Sequence, residues 1–377
     1  MNSLFNFYNT FSERKKLIFI LSIALVIRLI AAVFSAGYAM HDDHFLVVET
    51  PSSWAYGFDS GSWFPETQKQ EMEQGNRKEL QPQGHSLFYP GIQYAFFSTM
   101  RALGIENPNI QMFFNRFAHA LLGVLVVYLS YFLSTMLSTK ENARSIAWIA
   151  ALGWAWPFLS VRNLVEVVSI PFLLGAVILT LKGMKSNAIK LGLSAGFIMA
   201  LAVSVRYQTV VFFGVLGLLM LIQKHWQLGI SIFFGFVVSF FLVQGLPDWI
   251  IWGYPFAEML EYFGYNMSDV RFDYAESLGG KTYGVKYFPV MAFLTLPIIG
   301  VFWLFGFFYQ WKKLHLLFWP SLAFLILHMS YVNTQERFIF PIMHIILILG
   351  FLGWKAFREK SRFWLRFTSF WKGLSYF

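Results

Sequence analysis

The sequence contains no cysteine, which excludes a disulfide framework and any thiolate metal site. Charge is scarce as well: 13% of the 377 residues are Asp, Glu, Lys or Arg, and only 20 are acidic. That is too little to coat a soluble protein of this size, and no soluble domain can be cut from the chain. There is no glycine-rich nucleotide loop or Walker-like sequence, so a nucleotide-sugar donor has no visible site. No inverted repeat pairs one half of the chain with the other, which weighs against a secondary transporter.

What the chain has in abundance is apolar and aromatic surface, at 57% hydrophobic and 20% aromatic with 44 Phe. Runs long enough to cross about 30 Å of hydrocarbon recur along its length. Hydropathy predicts spans over 17–36, 111–137, 144–160, 165–181, 188–204, 207–222, 227–246, 289–309, 314–331 and 338–354. The expected fold is an all-α polytopic membrane protein of about ten transmembrane helices with both termini on one side. The first run carries the Arg14-Lys15-Lys16 flank of a signal peptide, and Phe34-Ser35-Ala36-Gly37 resembles a cleavage site; it is read as a retained anchor.

The net charge of +9 is explained by topology rather than by nucleic acid. Most of the 29 basic residues fall in the short loops and tails on the side of the termini, as the positive-inside rule expects of a cytoplasmic face. Of the acidic residues only Glu13, Glu141 and Glu359 share that side. The remainder face outward, in two long loops over 37–110 and 247–288 or, for Glu166 and Glu336, at outer helix ends. The aromatic content of both loops (Trp54, Trp63 and Phe64, then Trp249, Trp252 and Tyr262) predicts short interfacial helices, and 87–103 reads as an interfacial or re-entrant helix.

The densest polar stretch is Met40-His41-Asp42-Asp43-His44-Phe45, followed by Glu49, where the first span meets the first outer loop. Ionisable groups are rare at a membrane boundary unless they line a cavity or stay wetted. Asp42 or Asp43 is therefore a candidate catalytic base, against the plainer reading of a solvated loop. His41 and His44 could ligate a metal with Asp42, but loop histidines are more often simply exposed, and no metal or cofactor is expected. Asn163 and Glu166 have the spacing of a capping pair for the next helix, and Arg162 lies four residues before Glu166. Arg206 interrupts an apolar run and Arg337 ends another. Two guanidinium forks at headgroup depth suit a phosphate, although each could equally neutralise Glu49 or Glu166. An outer carboxylate beside phosphate-binding arginines suggests sugar transfer from a lipid phosphate to a hydroxyl.

Several short motifs, in order, resemble the lipid-donor mannosyltransferases of the glycosyltransferase C superfamily, which includes the GPI-anchor and dolichol-linked oligosaccharide enzymes. The His41-Asp42-Asp43-His44-Phe45 stretch with Glu49 is similar to that family's His-Pro-Asp-Glu-x-Phe and its downstream Glu; Asp42 stands at the catalytic aspartate, with Asp43 next. Ser86 and Pro90, Asn115-Arg116, Asn163 with Glu166, Arg206, Asp248 with Gly253 and Asn266, Tyr283-Gly284, and Arg337-Phe338-Ile339-Phe340-Pro341 match later motifs. Asn333-Thr334-Gln335 replaces the family's His-Lys-Glu, and Val285-Lys286-Tyr287-Phe288 shortens its His-Pro-Trp-His-Trp.

The resemblance implies a single membrane-embedded domain over 1–377. It implies an inverting transfer of mannose from polyprenyl-phosphate-mannose to a glycan or glycolipid acceptor. Asp42 or Asp43 would be the base, Arg206 and Arg337 would bind phosphate, and His41, His44, Glu49, Glu166, Asp248 and Gln335 would lie around the substrates. The short chain looks like a bacterial member, placed in the inner membrane with its site facing the periplasm or exterior. The competing readings are a transporter or flippase of lipid-linked sugars and a non-catalytic scaffold for envelope assembly.

Overall fold

The structure, a computed structural model, describes residues 8, 10–35, 37, 41–268, 299–330 and 335–365, without the side chains of His41 and Asp42. The described elements are all helical: α1 (Glu13–Phe34), α2 (His41–His44), a wider π-helical turn (Phe45–Glu49), α3 (Thr50–Ala55), α4 (Pro65–Glu73), α5 (Phe88–Ala102), α6 (Pro108–Leu137), α7 (Lys140–Leu152) and α8 (Trp156–Leu159). They continue as α9 (Val165–Ser186), α10 (Ile189–Val205), α11 (Thr209–Ile222), α12 (Trp226–Phe240), a π-helical turn (Phe241–Gly245), α13 (Leu246–Trp252), α14 (Ala257–Met267), α15 (Gly300–Tyr309) and α16 (His315–Ser330). A 3₁₀ turn (Glu336–Ile339) then leads into α17 (Phe340–Lys360), followed by α18 (Arg362–Leu365).

Five described helical stretches are long and apolar enough to cross a membrane, and four shorter apolar helices accompany them. The chain is thus a polytopic membrane protein of the class expected. The loop over 37–110 carries α2 to α5 as short helices, with α5 close to the expected 87–103. Of the expected span 289–309, only 300–309 lies among the described residues.

Two expectations need correction. The span expected over 144–160 is broken: α7 is 13 residues long, about 20 Å at 1.5 Å per residue, and the chain turns at Gly153 before the single turn of α8. A helix ending inside hydrocarbon leaves its last carbonyls without water. Arg28, on α1 and 1% exposed, supplies the donors. Its Nη1 donates to the carbonyls of Ala24 at 3.2 Å and Ala151 at 3.1 Å, and its Nη2 to that of Ala150 at 3.0 Å. This charge within the first span caps α7 from the side, cation against the negative end of the helix dipole. Second, the span expected over 227–246 continues through a π-helical turn to Trp252, so Asp248 sits at a helix end instead of in a loop.

Helix contacts are close where both partners are small. A Cβ on Gly353 of α17 would lie 1.9 Å from the carbonyl oxygen of Gly306 on α15, and one on Gly196 of α10 would lie 2.2 Å from that of Ile232 on α12. Backbone against backbone is how apolar helices gain contact when lipid is as apolar as leucine. α9 and α17 are the most enclosed: 72% and 83% of their most apolar stretches are buried. Val47 and Val48 of the π-helical turn pack with Tyr89 and Phe97 of α5 and with Val168 of α9 and Val205 of α10. That cluster fixes the turn carrying Asp43 to the bundle.

Candidate active site

Four charged side chains from distant parts of the chain meet at helix termini. Asp43 comes from α2, Glu166 from the first turn of α9, Arg206 from the break between α10 and α11, and Arg337 from the 3₁₀ turn before α17. Arg337 Nη1 donates to Asp43 Oδ2, and its Nε lies 3.8 Å from Glu166 Oε1. Arg206 Nη2 lies 3.2 Å from the same Glu166 oxygen. The Phe338 ring lies against both guanidinium groups, whose carbons are 4.8 Å (Arg206) and 5.6 Å (Arg337) from its centroid, a favourable cation–π arrangement. Gln335 Oε1 accepts from Arg337 Nε at 2.7 Å.

The two carboxylates and two guanidinium groups balance in charge, the condition under which buried ions are tolerated. Glu166 is 0% exposed, and its oxygens accept no hydrogen bond among the described residues; the described groups that meet its charge are the two arginines. Burial, reinforced by the Glu166 carboxylate, pushes the Asp43 carboxyl up to about 7 against the opposing pull of both arginines. A carboxylate titrating there is suited to take a proton near neutrality.

The structure brings Asp43, Glu166, Arg206, Gln335 and Arg337 together. The side chains of His41 and Asp42 lie outside the described residues, as do Tyr283, Gly284, Val285, Lys286, Tyr287, Phe288, Asn333 and Thr334. Glu49 pairs instead with His44, at 3.2 Å, on the half-exposed side of the π-helical turn. The pairing of Arg162 with Glu166 does not form: Arg162 donates to the Gly37 carbonyl and covers the Phe158 ring. Nor do Asn163 and Glu166 cap α9, whose N-cap is Leu164 with no side-chain hydrogen bond. Asn163 turns inward to Tyr89 and Asn115, at 3.1 and 2.8 Å.

Asp248 belongs to a second buried cluster. Its Oδ2 accepts from Gln244 Nε2 at 2.8 Å and from the Glu258 backbone N–H at 3.1 Å, while Ser86 Oγ donates to Gln244 Oε1 at 2.6 Å. Glu258 accepts from Trp252 Nε1 at 2.9 Å and from the His85 backbone N–H at 3.2 Å. Burial, with Asp248 adding to it, raises Glu258 to about 8. The cluster clamps the stretch before α5 to α13 and α14, and Asp248 shares no hydrogen bond or ion pair with the Asp43 centre. Sequence reasoning missed Glu258 here, and Tyr89, Gln93 and His119 near Asn163. Polar side chains within apolar helices were the signal that marks the last two.

The fold defines an all-helical polytopic membrane protein. The chain belongs to the Alg9-like mannosyltransferase family, whose family model matches residues 81–375; the match begins beyond Asp43. Among solved structures the chain is similar to ArnT from Cupriavidus metallidurans bound to undecaprenyl phosphate, with a TM-score of 0.61 at 13% identity. That likeness covers 93% of this chain and 61% of ArnT, so it speaks for the fold alone. No curated protein matches the chain.

Proposed function

We propose that this protein is an inverting glycosyltransferase that moves mannose from a polyprenyl-phosphate donor to a glycan or glycolipid hydroxyl at the outer face of the membrane, as a single domain. The observation that carries the reading is the buried Asp43–Arg337 pair, joined through Glu166 to Arg206. Family membership supports mannose as the sugar, and the undecaprenyl phosphate bound to ArnT supports a lipid-phosphate donor.

The chemistry is one displacement. The acceptor hydroxyl gives its proton to a carboxylate of the Asp42–Asp43 pair while its oxygen attacks the anomeric carbon from the face opposite the phosphate. The carbon–oxygen bond to phosphate breaks and its electron pair leaves on the lipid phosphate, held by Arg206 and Arg337. Configuration inverts because no covalent sugar intermediate intervenes. Asp43, whose carboxyl is pushed up to about 7 by burial, is suited to take that proton. Glu166 keeps both guanidinium groups oriented toward the phosphate, and Gln335 holds Arg337 at its Nε.

The test uses the purified full chain in lipid nanodiscs or vesicles with polyprenyl-phosphate-mannose and methyl α-mannoside. A disaccharide product is expected, and Asp43→Asn should cut its formation by about 10²–10⁴-fold in protein that still elutes as a folded species. Loss in Asp42→Asn with activity kept in Asp43→Asn would move the base by one residue. Translocation of the lipid without product, or neither, would sink the transferase reading.

A further inference from the structure

Between α5, α6 and the start of α9 lies a buried polar network that the chemistry above does not use, and its hydrogen bonds run in one direction. His119 Nδ1 lies 2.8 Å from the Asn115 backbone oxygen. A carbonyl only accepts, so the ring proton is on Nδ1 and Nε2 is the acceptor. Tyr89, 2.6 Å from Nε2, therefore donates its hydroxyl proton to it, and its oxygen is left to accept. Asn163 donates to it through Nδ2 at 3.1 Å. The other Nδ2 hydrogen reaches Asn115 Oδ1 at 2.8 Å, and Asn115 Nδ2 donates to Gln93 Oε1. Reversing the Asn163 amide would set oxygen against oxygen at Asn115 and at Tyr89, whose proton is committed to His119, so its orientation is fixed.

Both Asn163 hydrogens thus point inward at side chains that are almost fully buried, Tyr89 at 3% and Asn115 at 1% exposed. Asn163 itself is only half-buried. The open edge of its amide is the one bearing Oδ1, which has no partner among the described residues. It stands three residues before Glu166, and the Tyr89 beside it packs with Val47 and Val48 of the turn that follows Asp43. A rigid acceptor left unpaired next to a catalytic centre reads a hydroxyl well, because a ligand lacking that group leaves the acceptor unsatisfied.

We propose that Asn163 Oδ1 accepts a hydrogen bond from one sugar hydroxyl of the transferring or the receiving mannose, held on target by Tyr89, His119, Asn115 and Gln93. This assignment rests on the transferase reading and adds a specificity-determining residue to it. Tyr89 is then a positioning residue, acting through the Asn163 amide.

The experiment pairs variants with substrates lacking one hydroxyl. Unaltered protein and Asn163→Ala are assayed in nanodiscs with polyprenyl-phosphate-mannose and its 2-, 3- and 4-deoxymannosyl analogues. A second series varies methyl α-mannoside in the same way, so that the series showing the effect tells whether the hydroxyl belongs to donor or acceptor. In the unaltered protein one analogue should lose about tenfold in kcat/KM, the worth of one well-placed hydrogen bond. In Asn163→Ala that analogue should cost nothing further, while the others keep their penalties. Tyr89→Phe removes one anchor without opening a cavity and should blunt the same discrimination; it stands in if Asn163→Ala does not fold. Equal penalties across all analogues in unaltered and variant protein would overturn the assignment and leave the transferase intact. Failure of the unaltered protein to form any product would overturn the transferase reading and this assignment with it.

Discussion

Asp43 faces two guanidinium groups and one carboxylate in a space where water is scarce, and the balance sets when it can accept a proton. With its carboxyl raised from 3.8 to about 7, it is protonated below that pH and unable to serve as base. The transfer rate in detergent or nanodiscs should therefore fall about tenfold per pH unit below 7 and level off above it; a flat profile between pH 5 and 8 would remove Asp43 from the role. The stability sign runs the other way. The folded protein holds this proton more tightly than the unfolded chain, so between about 4 and 7 the contribution of this one group to stability declines as pH rises. The four residues of the centre were legible in the sequence because an ionisable side chain in so apolar a chain stands out. Their pairing was not, since Asp43 and Arg337 are 294 positions apart and nothing local links them. The capping role read for Asn163 does not hold: its spacing to Glu166 imitates a helix cap, while its side chain serves a network drawn from two other helices, α5 and α6.

At the level of elements, Arg28 and α7 depend on one another. The sequence showed a cation in an apolar run and an apolar run of nearly the right length, and hydropathy alone could not see that the second stops short. Burial of the first against the end of the second explains both. Replacing Arg28 by Leu keeps the span apolar but strips the carbonyls of Ala150 and Ala151 of their donors, at about 1–3 kcal/mol for each group left unpaired. Thermal unfolding of the detergent-solubilised variant should show a clear loss of stability. An unchanged midpoint would mean that α7 finds another way to end. Short helices at the membrane boundary were readable from aromatic content. The π-helical turns were not, because they follow from tertiary packing around Val47 and Val48 on one side and Gly245 on the other.

For the whole molecule, the proposed outward-facing orientation rests on the distribution of acid and base in the sequence, and the absence of cysteine makes it testable. A single cysteine placed at Lys78, exposed in the first long loop, is the only thiol in the variant. Intact cells should allow its modification by a membrane-impermeant maleimide. Labelling only after lysis would put the Asp43 end of the bundle on the cytoplasmic side and reverse the proposed direction of supply.

The balanced charges of the centre carry one more implication. A phosphodiester sugar donor brings one negative charge, whereas the monoester left behind can carry two. At the same instant the base acquires the hydrogen stripped from the acceptor, so two arginines then oppose one ionised carboxylate in place of two. The enclosure thereby becomes more positive just as its guest becomes more negative, and the spent lipid is gripped until that hydrogen escapes. Turnover in such an arrangement would be governed by release of the carrier, coupled to the departure of a proton.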